Sequence, residues 1–171
     1  MRVRGYGLRV WGMLGAVVLL VALPLWARTP GESSSPEVAA IGKVLDEFID
    51  ALNTADLQRY AALFTPDATA FFPLAEVPVR LENIEQITAV FGKFFEGIRR
   101  GSSGPRYMNL APVDVKLQLY GDTAIVSFHF RGGEMISRRT LALVKHEGKW
   151  MIAHLHASNI EIGASRGVSP Q

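Results

Sequence analysis

VDVKLQLYGDTAIVSFHFR, residues 113 to 131, carries two strands and the turn between them. Val113, Val115, Leu117 and Leu119 alternate with Asp114, Lys116 and Gln118, a period of two that buries one face of a strand and wets the other. Gly121-Asp122 predicts a hairpin turn, and Thr123 to Arg131 the strand that follows it. Towards the C terminus, Gly132-Gly133 precedes a strand over Met135 to Lys145, and Glu147-Gly148 precedes a last one over Trp150 to Asn159. Four long strands therefore meander through the second half of the chain.

Towards the N terminus the period turns helical. Ser35 caps a helix with Pro36 in its first position, and Ile41, Leu45, Phe48, Ile49 and Leu52 recur on one face. Asn53 to Ala55 breaks that helix. A short second helix is expected from Asp56 to Phe64, ended by Thr65-Pro66-Asp67 because proline disfavours helical geometry at the residue before it. Ala68 to Pro73 reads as a short strand. Asn83 with Gln86 resembles a capping box, and Ile84, Ile87, Val90, Phe91, Phe94, Phe95 and Ile98 make the strongest amphipathic helix of the chain. Helices first and hairpin-linked strands after them predict an α+β fold, a curved antiparallel sheet with three helices packed on its concave face.

The 171 residues suit one domain, which these elements place at 37–162. Ahead of it, Arg2, Arg4 and Arg9 precede an uncharged run from Val10 to Trp26, the layout of a signal peptide over 1–27; an uncleaved N-terminal anchor is the alternative, although that run falls short of the ~20 residues that span a bilayer. Both readings export the domain, to the periplasm or the outside, and only the second involves a membrane. Residues 28–36 read as a polar linker and 163–171 as a disordered tail. The formal charge of +2 depends on the three leading arginines: without residues 1–27, 15 Lys+Arg face 16 Asp+Glu, a charge of −1. No basic field remains to attract nucleic acid. With no cysteine, disulfides, thiolate zinc sites and catalytic cysteines are excluded.

Ala51-Leu52-Asn53-Thr54-Ala55-Asp56, Tyr60, Pro66-Asp67-Ala68-Thr69-Ala70-Phe71-Phe72-Pro73 and the final GKWMIAHLHAS of residues 148–158 resemble the SnoaL-like branch of the NTF2-like superfamily. Within it, the likeness is greatest to the association (hub) domain of calcium/calmodulin-dependent protein kinase type II. The resemblance implies a cone-shaped α+β fold and assembly through the sheet into a homodimer or larger ring; calmodulin binding does not carry over. In the related ketosteroid isomerases a Tyr and an Asp act as oxyanion donor and base, and those places fall at Phe48 and Phe72, which transfer no proton. The hub's carboxylate-holding arginines fall at Phe130, Leu141 and Ala157, all apolar.

What remains is a mainly apolar small-molecule pocket, expected from Phe48, Tyr60, Phe64, Phe72, Phe91, Phe95, Tyr107, Phe128, Phe130, Leu155 and Asn159. No cofactor is expected, since no phosphate-binding glycine loop or dinucleotide fingerprint accompanies these aromatics. Strand parity sends Ala153, Leu155 and Ala157 towards the cone and turns Trp150, Ile152, His154, His156 and Ser158 to the opposite face, as an interface with a second copy. His129, His154 and His156 are read as structural and not as a zinc site, and Arg131, Arg138 and Arg139 as a solvated hairpin. The function expected is a binding or assembly module. The alternative is an isomerase, cyclase or hydrolase acting on a hydrophobic substrate, with Tyr60, Tyr107 or Asn159 in polar contact.

Overall fold

A computed structural model describes residues 35–162. The expected signal segment, most of the linker and the tail lie outside the described residues. Three helices, α1 (Pro36–Thr54), α2 (Leu57–Ala61) and α3 (Ile84–Gly101), accompany five strands, β1 (Phe64–Phe71), β2 (Val113–Tyr120), β3 (Thr123–Gly132), β4 (Met135–His146) and β5 (Lys149–Glu161). Local chemistry sets the helix starts. Ser35 Oγ accepts the Val38 N–H at 3.3 Å, Asp56 Oδ1 accepts from Arg59 N–H at 3.0 Å, and Asn83 Oδ1 accepts from Gln86 N–H at 2.9 Å. Gln86 reaches back to the N–H of Glu82 at 2.9 Å, one residue earlier than in the standard capping box. No helix among the described residues is long and apolar enough to cross a membrane.

The strands form one curved, unclosed sheet in the order β1-β5-β4-β3-β2. Adjacent strands from β2 to β5 pair antiparallel, but β1 lies parallel to β5, so the sheet is mixed and not antiparallel throughout. The reason is topological. Three hairpins reverse the direction of β2 three times, and β5 thereby arrives running the same way as β1. The second helix is also shorter than expected: Phe64 to Asp67 belong to β1, with Pro66 where the pairing with β5 is interrupted between Phe64 and Thr69. A proline is tolerated on such an edge because no ladder bond needs its missing N–H.

A second irregularity decides which side chains face the helices. The pairing of β4 with β5 steps from Leu143↔Ile152 to Ala142↔His154, leaving Ala153 as an extra residue. Such a bulge shifts the alternation by one. Before it the buried positions are Trp150 and Ile152; after it they are Leu155 and Ala157. Trp150 and Ile152 are therefore core residues and do not lie on the open face with His154, His156 and Ser158, as uninterrupted parity predicted. The Trp150 indole N–H donates to Glu37 Oε2 at 2.6 Å, and Lys145 Nζ donates to Glu37 Oε1 at 2.7 Å, so the first turn of α1 is clamped to the β4–β5 hairpin. At the far end of α1, buried Asn53 donates to Leu110 O (3.0 Å) and accepts from Leu110 N–H (2.7 Å), while its carbonyl accepts from the N–H groups of Tyr107 and Met108. The residue expected merely to break a helix holds the 107–110 segment in place.

A candidate ligand cavity with one cation in its wall

A cavity of about 260 Å³ opens between the helices and the sheet. Phe48 and Leu52 of α1, Val90, Phe91 and Phe94 of α3, Phe72 to Leu74 after β1, and Met108 and Leu110 form its helical and loop walls. The sheet contributes Phe130, Ser137, Arg139, Leu155 and Asn159. Phe94 and Leu74 remain 41% and 36% exposed, which places them at the mouth. Asn53 thus acts on the cavity indirectly, by anchoring the segment that carries Met108 and Leu110.

Of the side chains expected to form the pocket, Phe48, Phe72, Phe91, Phe130, Leu155 and Asn159 line this cavity. Tyr60, Phe64, Phe95 and Phe128 are buried behind its walls, and Tyr107 packs against the core without lining it. The reason is stacking in depth. Tyr60 lies on Phe91 with ring centroids 4.3 Å apart, and Phe48 meets Phe128 at 6.4 Å, so each inner ring supports one that faces the cavity. Asn159 is accordingly the only one of Tyr60, Tyr107 and Asn159 that reaches it. Tyr60 Oη is enclosed without a hydrogen-bond partner among the described residues, and burial pushes the phenol well above its ordinary pKa, against the opposing effect of Arg139. It stays protonated.

Arg139 overturns the expectation of a solvated hairpin. In the sheet it lies between Phe128 and Ala157, both buried, so the same alternation that points Leu141 and Leu143 into the core points Arg139 there too. That parity was present in the sequence, two and four residues before the core leucines. The guanidinium is half-buried beside Phe130, with Cζ 5.6 Å from the ring centroid, and Nη1 donates to its neighbour's carbonyl, Arg138 O, at 2.8 Å. Burial lowers its pKa, although a guanidinium remains charged. Among the described residues it makes no ion pair, whereas Arg59, Arg80, Arg106 and Lys145 each meet a carboxylate. One position along the same face, Ser137 Oγ donates to Asn159 Oδ1 at 2.8 Å. Among the described residues Arg139 is the single ionisable group in the lining.

The family described as a SnoaL-like domain matches residues 41–162. The chain belongs to the SnoaL-like family. No curated protein matches it in sequence. Among solved structures it is similar to an NTF2-like protein from Pseudomonas putida, at 17% identity and a TM-score of 0.62, over 77% of this chain and 95% of that one. It is similar to the CaMKII hub of S. rosetta at 26% identity and a TM-score of 0.53, over 71% and 95%. A cystatin-like fold protein from Burkholderia xenovorans is 20% identical with a TM-score of 0.59, over 75% and 96%.

The other face of this SnoaL-like domain's sheet has no helix over it among the described residues, and its chemistry is different. The side chains of His154 and Thr69 are joined at 2.8 Å across the β1–β5 pair, Arg138 Nε donates to Ser158 Oγ at 3.1 Å, and exposed His156 lies beside Phe71. Burial chiefly, then the charges of His156 and Arg80, lowers the pKa of His154. His129 faces Arg138 across the β3–β4 pair and sits 3.7 Å from Asp114, one strand removed from the two β5 histidines. No three potential metal ligands converge among the described residues.

Proposed function

We propose that this SnoaL-like domain is an exported, homo-oligomeric binding module that holds a mainly apolar small molecule in its cavity. The observation that carries the reading is the lining: aromatic and aliphatic side chains from two helices and two loop segments converge on one space that the core does not fill. Burying an apolar body there gains about 25 cal/mol per Å² removed from water. The test is binding of a neutral hydrophobic dye, N-phenyl-1-naphthylamine, to the purified full chain. Enhanced fluorescence is expected, and Val90→Trp, which fills the cavity from a partly exposed site on α3, should weaken binding about tenfold; a folded protein that leaves the dye dark would refute the reading.

Assembly is supported by the likeness to the hub and by the helix-free sheet face, where Phe71 and Ile160 are 39% and 41% exposed. With Trp150 and Ile152 in the core, the surface offered to a second copy comprises His154, His156 and Ser158 together with Phe71. Light scattering at micromolar concentration should report a dimer or larger species, and a monomer alone would contradict the proposal. Export is supported by the three arginines and the uncharged run after them; N-terminal sequencing of the natural protein should find cleavage near Ala27 or a membrane-bound intact chain.

A further inference from the structure

Resting on the reading of the cavity as a ligand site, we propose that its ligands are small amphiphilic monocarboxylates, with the carboxylate held by Arg139 and the apolar body among the phenylalanines. Arg139 is the one charge in a lining that is apolar apart from Ser137 and Asn159, and it makes no ion pair among the described residues. A half-buried cation without a counter-charge is costly, and one that faces a cavity is placed to take its counter-charge from a ligand. Among the described residues only one hydrogen bond, from Nη1 to Arg138 O, engages the guanidinium, which leaves most of its five N–H donors for an incoming acceptor.

The shape of the group favours a carboxylate. Two N–H bonds of a guanidinium fork match the two oxygens of a planar carboxylate, and one positive charge neutralises one negative charge. A phosphate monoester carries close to two, and the second would lie unpaired against aromatic walls. Asn159 adds a further donor. Its Oδ1 is occupied by Ser137, so its Nδ2 can serve a ligand oxygen at the adjoining position of the same sheet face.

The body is limited by the space. About 260 Å³ lies just under the ~300 Å³ at which ordinary ligand pockets begin, enough for a medium alkyl chain or one aromatic ring. Phe72, Phe91 and Phe94 meet edge to face, with centroids 4.8 and 5.8 Å apart, and present ring faces and edges to that body.

Calorimetric titration of the full chain with octanoate, 1-octanol and octylamine at pH 7.5 tests the head group separately from the cavity. Octanoate is expected to bind at least about tenfold more tightly than either other ligand, the difference one charge-assisted pair supplies. Arg139→Gln should lower octanoate affinity to that of octanol, and Arg139→Lys should keep part of the preference. If octanol binds as well as octanoate, or the dye binds and octanoate does not, the carboxylate inference is wrong and the cavity reading stands. Failure of dye and octanoate together would overturn both. A measurement independent of the variants is carbon NMR of carboxyl-labelled octanoate bound to the unaltered protein: its carboxyl pKa should fall on binding, and an unchanged or raised value would overturn the proposal.

Discussion

The covered face of the sheet has two ends made by the same strands, and they differ in what surrounds them. At one end Ala124, Leu143, Trp150 and Ile152 are enclosed, and the Glu37 carboxylate ties the start of α1 to Lys145 and Trp150. At the other, Ser137, Arg139 and Asn159 continue the same alternation but face a cavity whose mouth is edged by exposed Leu74 and Phe94. On the proposed reading of the cavity, the contrast separates stability from binding along a single set of strands. Side chains at the closed end are enclosed, whereas Leu74 and Phe94 at the open end retain solvent-facing atoms.

The severest way to break that contrast is to place a charge in the closed end with Ile152→Asp. Ile152 is fully enclosed, so an unpaired carboxylate there should cost about 4 kcal/mol or more, enough to leave a small domain largely unfolded. Denaturant titration followed by circular dichroism measures it, and a near-native midpoint would refute the core position that the bulge at Ala153 gives this residue.

Two neighbouring phenylalanines of α3 sharpen the comparison. Phe95 is fully buried and Phe94 is 41% exposed at the mouth. Phe95→Ala should cost about 3–5 kcal/mol, and Phe94→Ala about 1 kcal/mol or less, with the second weakening neutral-dye binding more than it lowers Tm. Equal destabilisation would mean that the two ends are not distinct.

A smaller effect is expected from the Glu37 clamp. Its hydrogen bond with Lys145, then that with Trp150, lowers the Glu37 pKa, and the Glu37 bond raises that of Lys145. The carboxylate's contribution is present above the ~4.3 of a free glutamate and is lost as pH falls through its lower folded value; the ammonium's is present below ~10.4 and is lost as pH rises through its higher one. Thermal melts should show Glu37→Gln less stable than the unaltered chain across that window, with the gap closing towards either extreme. A gap independent of pH would assign the clamp to packing.

The least effect belongs to the open face. The lowered pKa of His154 means that the unfolded chain takes up a proton first as pH falls below about 6.5, so this residue makes stability decline on acidification from neutral pH. His154→Gln, which keeps a partner for Thr69, should flatten the decline between pH 7 and 5. An unaltered slope would show that another group controls it.

Much of the fold was legible because it rests on contacts within a few residues. Ser35, Asp56 and Asn83 cap their helices through side-chain bonds three residues long, and the glycine turns at 121, 133 and 148 adopt the positive φ that tight hairpins need. The aromatic lining was partly legible for the same reason, since Phe91 repeats at helical spacing with Ile87 and Phe95. Arg139 could have been found by counting back in twos from Leu143 and Leu141, but the glycine turn nearby suggested a solvated hairpin.

The sequence by itself determined the order of the elements, their caps and turns, and the α+β class, all set by backbone preferences and by periods of two and 3.6 that a single segment carries. Only the tertiary structure decided that β1 runs parallel beside β5, that Ala153 is extra, and that Arg139 shares a cavity with Phe72 and Phe94. These depend on which strand supplies the partner hydrogen bonds and where the register slips. A strand carries its own alternation, but the face on which that alternation falls is set by its neighbour.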